Sequence, residues 1–330
     1  MTRKRMIAQG GQNYHIYNRF AGDPKDFAMH DTEKEKFVEM ANTLLVLHCP
    51  SISLLGYCIM SGHYHMVVHH NPSVKVSKKE AESCFTRYYD RRNSPTNWVP
   101  EEYNNVVKRI TALSSFVGVL QQQFATWMNK VSRPTTAGHE YRGHVWAERY
   151  KSPIITTQEG TQRCIVYGAF NPLRARIVED IGSYRHSSWG VYKQTGHYPH
   201  AAAFAKYFIV DHDETKSAEV KLKEALEEME RMITERILEE CNLPEEEKNE
   251  AFEKALKGPG IFKTVSKRVR FWTEGIIIGS KIENMEVAAE FYDNKKLENR
   301  KFHHFGKEGD FNVFRWTMGK NKEELPPKPS

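Results

Sequence analysis

Cysteine is scarce in this chain and badly spaced for pairing. Cys49, Cys58, Cys84, Cys164 and Cys241 are odd in number and include no C-x-x-C pair. That excludes a disulfide scaffold and a four-thiolate zinc site, and leaves five small hydrophobes of a reducing compartment. No run approaches the ~18 uninterrupted apolar residues that would cross a bilayer. Met1-Thr2-Arg3-Lys4-Arg5 is followed by no apolar secretory core, so a cytoplasmic protein is expected. Internal repeats and low-complexity tracts are also missing, which excludes solenoids and arrays. What is present suits a packed core: 330 residues, 39% hydrophobic and 27% charged, enough for one large domain or two ordinary ones.

Charge is unevenly spread. Residues 1–200 hold 25 Lys and Arg against 16 Asp and Glu, a balance of +9, whereas 201–330 hold 23 against 26, or −3. A basic first part favours a polyanionic partner, and solubility charge accounts for the same excess until motifs are considered.

The first 70 residues read as strand, helix, strand, strand. β-formers fill Gln12 to Phe20, and Phe37, Met40, Ala41, Leu44 and Leu45 recur at helical intervals within Thr32 to Leu47. Ile52 to Met60 and His63 to His69 read as strands joined by Ser61-Gly62. Residues 71–103, with Pro72, Pro95 and Pro100, suggest an irregular or partly helical insert. One long amphipathic helix is predicted over Asn104 to Val131, then a loop with Pro134 and Gly138, then a short strand within His144 to Ile155. A helix from Gln158 to Phe170 follows, with Thr156 and Glu159 at capping-box spacing and Pro172 just beyond its end. After residue 200, helices are predicted at Glu219–Glu240 and Glu245–Leu256, a basic stretch at Lys263–Trp272, and a buried strand or tight turn at Gly275–Ser280. The proline-rich tail from Leu325 is expected to be disordered. The division expected is therefore a domain over 1–200 and a mainly helical extension over 201–330.

Two features could carry chemistry. His63 and His65 flank Tyr64 on a strand, so their imidazoles share one face and could hold one divalent cation; His69 shares that face. Two ordinary polar strand residues fit the same spacing. Tyr167 and Asn171 stand four apart on a helix and point to one side, a phenol beside an amide oxygen. A tyrosine packed at a helix end, with Asn171 capping the last turn, also fits.

Five runs in order resemble the REP-associated tyrosine transposases, which belong to the single-tyrosine HUH transposases. They are Tyr14-His15-Ile16-Tyr17-Asn18-Arg19, Met60 to Val68 around His63-Tyr64-His65, Gly143 to Ser152, Tyr167 to Ala175, and Tyr184-Arg185-His186-Ser187-Ser188-Trp189. Gly62 stands where asparagine is usual before the first histidine, and Tyr64 is a bulky middle residue. The resemblance implies an α+β fold: a ferredoxin-like antiparallel sheet with packed helices. It implies that His63, His65 and Asn171 hold Mg²⁺ or Mn²⁺, and that Tyr167 is the nucleophile forming a 5′-phosphotyrosine with DNA.

On this expectation the chain is a DNA-nicking and strand-transfer enzyme acting on single-stranded DNA beside a hairpin, and is found with DNA in the cytoplasm. Arg19, Arg142, Arg149, Lys151 and Arg174, with the strip Lys267, Arg268 and Arg270, are the expected DNA contacts. Arg87-Tyr88-Tyr89-Asp90-Arg91-Arg92 and His139-Glu140-Tyr141-Arg142 are aromatic–basic runs that could stack bases. A sequence-specific DNA-binding regulator that keeps the fold without cleaving is the alternative. Monomer and homodimer both remain open.

Overall fold

The computed structural model describes residues 6–21, 28–48, 50–91, 97–132, 144–210, 213–240, 276–291, 302–304 and 311–314. The expected helix at 245–256, the basic stretch at 263–272 with Lys267, Arg268 and Arg270, the run 139–142 and the tail lie outside these residues.

The fold is α+β. Strands β1 (Gln12–Arg19), β2 (Ile52–Ile59), β3 (His63–His70) and β4 (Ile154–Ile155) lie in the order β2-β3-β1-β4, each pair antiparallel. This is the ferredoxin-like part of the sheet. Period-two alternation splits its side chains cleanly between two faces. Tyr14, Ile16, Tyr64, Met66 and Val68 join one apolar core, together with Phe37 and Leu44 of α1 (Asp31–His48) and Phe116, Leu120 and Phe124 of α4 (Leu113–Trp127). Leu55, Val67 and Ile155 join a second core on the opposite face, against α5 (Gln158–Arg174), α7 (Ala201–Phe208) and α8 (Ala218–Glu240). Helices thus cover both sides of the sheet.

The insert after β3 is helical over α2 (Lys78–Arg91). Its Tyr88 is buried and accepts from Gln123 Nε2 at 3.1 Å, and Tyr89 packs on Phe85. The periodicity that places Tyr88 beside basic residues in sequence turns its ring inward, so it is no base-stacking platform.

The single long helix expected over 104–131 is two helices, α3 (Tyr103–Ile110) and α4, parted at Thr111–Ala112. Ala112 is extended, with φ −100° and ψ 116°. The carbonyls freed there are used: Ile110 accepts from His48 Nδ1 at 2.9 Å and from Ser51 Oγ, and Thr111 accepts from His70 Nε2 at 2.9 Å. Buried donors from three other positions stabilise the break, and apolar spacing carries no trace of them.

The region after residue 200 is helical in α7, α8 and α9 (Lys281–Ala289), but it also extends the sheet. β5 (Ile277–Ser280) pairs with β4, followed by β7 (Phe311–Phe314) and then β6 (Phe302–His304), making seven strands among the described residues. The β4–β5 pair is parallel, so the whole sheet is mixed. Ile276-Ile277-Ile278 supplies the β-branched run that a strand buried on both faces requires.

Among the described residues no helix is long and apolar enough to cross a membrane.

Candidate active site

β3 runs between β1 and β2, with Tyr17 opposite His65 and Arg19 opposite His63. Odd-numbered residues of both strands therefore share one face, and that face carries His15, Tyr17, His63, His65 and His69. Tyr64 points the other way. It is fully buried and its Oη accepts from Gln121 Nε2 at 2.9 Å, so its bulk stays out of the histidine face.

His63 and His65 lie edge to face, their ring centroids 5.0 Å apart. His63 is half-buried and His65 is buried. Burial, then the neighbouring His63, His15 and Arg19, push the His65 imidazole well below its usual pKa, which keeps it neutral. A neutral imidazole is the form that binds a metal.

α5 lies across this face and brings Tyr167 to it. The Tyr167 ring meets His65 edge-on at 5.5 Å and His15 at 6.3 Å. Arg174, two turns further along, holds its guanidinium 5.5 Å from the Tyr167 ring centroid. Asn171 is buried, and its Nδ2 donates to the Tyr167 carbonyl at 3.0 Å. That bond leaves Oδ1 as the acceptor of the amide.

Two local expectations are corrected here. Pro172 lies inside α5, which runs to Arg174. A proline in the last turn costs only a bond near the helix end, and the Asn171 amide adds a side-chain bond to the same turn. The N-cap is Thr157, whose side chain accepts from Gly160 N, and Thr156 is used elsewhere. Its backbone N donates to Ile278 O at 2.8 Å and its Oγ1 lies 3.0 Å from Asn284 Oδ1. Pairing with β5, a hundred residues later, takes Thr156 out of the cap.

The segment from Val145 to Lys151 borders β1. Ala147 N donates to Arg19 O, and Lys151 N and Tyr17 N each donate to the other's carbonyl. Trp146 stacks on Phe20 at 4.9 Å and donates to Gln121 O. Lys151 Nζ lies 5.9 Å from the Tyr17 ring centroid and 2.9 Å from Glu148 Oε1. Arg19, Arg149 and Lys151 are exposed, with Arg19 and Lys151 bordering the histidine face; Arg142 lies outside the described residues. The last motif has a different place. His186 Nε2 meets Asp31 Oδ1 at 2.7 Å, and Arg185 pairs with Glu35, fastening this segment to the start of α1.

His15 is the residue that motif reading passed over. Its Nε2 lies 2.9 Å from His65 Nδ1, and the two rings stack at 5.0 Å with 20° between their planes. The signal was available in strand parity, since His15 is the diagonal neighbour of His65 in the β1–β3 register.

Among the described residues no three His, Cys, Asp or Glu side chains gather as a self-sufficient metal site. The groups offered are the imidazoles of His63 and His65 on β3 and the amide of Asn171 on α5. That chemistry fits a divalent ion that keeps open positions for water and phosphate oxygens, and does not fit a closed structural zinc site.

No protein-family model matches the sequence, and no curated protein matches it. Among solved structures, one described as the REP-associated tyrosine transposase bound to a REP hairpin is similar in shape to part of this chain. The identity is 11%, the TM-score 0.38, and the match spans 61% of this chain and 90% of that one.

Proposed function

We propose that this chain cleaves and rejoins single-stranded DNA through Tyr167, acting beside a hairpin and passing through a 5′-phosphotyrosine. One observation carries the reading: the Tyr167 phenol sits against a buried neutral imidazole, His65, with the Arg174 guanidinium beside its ring.

The chemistry asks for such surroundings. A tyrosine of pKa about 10 is phenolate in roughly one molecule per thousand at pH 7, a deficit of about 4 kcal/mol. A guanidinium against the ring is placed to stabilise negative charge as it develops on the phenol during attack. Tyr167 Oη would attack phosphorus and lose its proton to solvent, forming the P–O bond to tyrosine. The bond from phosphorus to the 3′ oxygen would break, and that oxygen would take a proton from solvent and leave as a free hydroxyl. Attack by another strand's 3′-hydroxyl reverses these steps and releases tyrosine, so rejoining needs no ATP. His63, His65 and the Asn171 amide oxygen would hold Mg²⁺ or Mn²⁺. Such an ion supplies Lewis-acid stabilisation of charge on the phosphate and the departing oxygen.

Arg19 and Lys151, exposed at the border of the histidine face, are suited to phosphates on the strand entering it, and Arg149 extends the same basic segment. A nucleophile on a packed helix cannot follow a phosphodiester into a duplex, which favours single-stranded substrate. The deciding test incubates the protein with genomic single-stranded DNA and Mn²⁺ and sequences whatever becomes covalently attached. Tyrosine-linked DNA with one recurring 5′ end is the expected result. Binding without any adduct would leave a DNA-binding regulator in place of an enzyme.

A further inference from the structure

The buried imidazole pair at the centre of the site has a direction that its chemistry requires. A histidine that binds a metal through one ring nitrogen holds its other N–H in a hydrogen bond, which selects the tautomer and fixes the ring. His65 Nδ1 is the nitrogen that meets His15 Nε2, at 2.9 Å. If His65 donates from Nδ1, its Nε2 keeps a lone pair. If His15 donates instead, His65 Nε2 carries the proton and cannot ligate. We infer that His15 is a positioning residue: its Nε2 accepts from His65 Nδ1–H, fixing the tautomer that leaves His65 Nε2 free for the catalytic divalent ion.

Three features of the fold favour that role. The β1–β3 register puts His15 diagonally next to His65 on one face, so the backbone ladder sets the contact and no mobile loop is involved. Both rings are buried, His15 at 0% exposure and His65 at 3%, so no bulk water competes for Nδ1. The rings lie nearly parallel and both meet the Tyr167 ring edge-on, which restricts rotation of either imidazole. A carboxylate is the more familiar partner of a metal-ligating histidine. An imidazole acceptor performs the same selection while adding no negative charge beside the tyrosine that must become phenolate.

This inference rests on the proposed metal-bearing site. The test measures Mn²⁺ binding to the full-length protein by titration calorimetry, in the absence of DNA. His15→Phe keeps the ring stack and removes the acceptor, and should weaken Mn²⁺ about 10- to 100-fold. His15→Gln restores an acceptor oxygen and should recover most of that loss. A merely structural role would not make glutamine the better substitute for a stacked ring. A folded His15→Phe variant that binds Mn²⁺ as tightly as the parent would overturn the inference while leaving the metal reading intact. A parent protein that binds no Mn²⁺ would sink both. Should the variants fail to fold, nitrogen-15 NMR of metal-free parent protein decides, because His65 must carry its proton on Nδ1. A proton on Nε2 would overturn the assignment.

Discussion

His65 and His186 are both buried histidines that reach across the fold to a partner far away in sequence, yet their surroundings differ in kind. His186 meets a carboxylate that is mostly in water: Asp31, 64% exposed, with Arg185 close to the same carboxylate. The His186 bond holds the Asp31 carboxyl below its usual range, and burial lowers the His186 imidazole while Asp31 opposes that shift. This fastens the start of α1 to the segment before α6 (Ser188–Thr195), with the Arg185 guanidinium offsetting the carboxylates of Asp31 and Glu35. His65 is surrounded by His15, His63 and Tyr167, groups with lone pairs or π-faces to offer. On the proposed reading, imidazole nitrogens grouped beside a phenol are the ligands that would hold a cation there. A histidine matched to a carboxylate has its partner already.

If that contrast is right, the largest effect comes from the smallest chemical change. Tyr167→Phe should reduce the covalent protein–DNA adduct below detection on denaturing gels, with hairpin affinity and melting temperature unchanged. An undiminished adduct would move the nucleophile to another tyrosine. Asp31→Asn should leave adduct yield at parent level, since the Asp31 carboxylate is engaged by His186 and Arg185, neither of them a residue of the histidine face.

Backbone contact gives the next largest effect. Gly190 lies one turn into α6, where an added Cβ would overlap the Tyr184 carbonyl. Gly190→Ala should cost about 3 kcal/mol, read as a shifted urea midpoint, because main chain cannot move aside as a side chain can.

Acid sharpens the distinction between histidine partners. His48 is buried and donates from Nδ1 to the Ile110 carbonyl, and burial pushes its pKa down to about 4. Its folded pKa lies below the unfolded one, so its contribution is whole above about pH 6.5 and is lost as pH falls toward 4. The loss is on the order of 3 kcal/mol over that window. His48→Asn should flatten the stability profile there by about 1.4 kcal/mol per pH unit. An unchanged slope would show that other histidines carry the acid response.

The exposed fastening should matter least. Asp31→Asn should cost less than about 1 kcal/mol at neutral pH, as screened ion pairs do. The depressed Asp31 carboxyl contributes above its unfolded pKa and loses that contribution only as pH falls through the folded value. The variant's deficit should therefore vanish in strong acid.

The elements around the site could be read from periodicity because period-two and period-3.6 patterns report burial directly. His63 and His65 on one strand face follow from parity, as do Tyr167 and Asn171 on one helix face. Other features could not be read in this way. Thr156 has good capping spacing and does not cap, because β5 claims it. The break at Thr111 follows apolar spacing on either side and is held by His48, Ser51 and His70 from elsewhere. Tyr88, flanked by arginine, looks like a DNA-facing ring and is buried.

Local chemistry was enough to specify β1 to β4, the helix that carries Tyr167, and the residue types from which a cation site or a nucleophile could be built. Those depend on neighbours one to four residues away, whose spacing is written in the chain. Which of these groups meet depends on strand register and on the packing of α5 over β3. Both arise from contacts between residues fifty to more than a hundred positions apart: His15 with His65, His65 with Tyr167, Thr156 with Ile278. No local pattern encodes such a distance, and only the folded sheet brings these groups together.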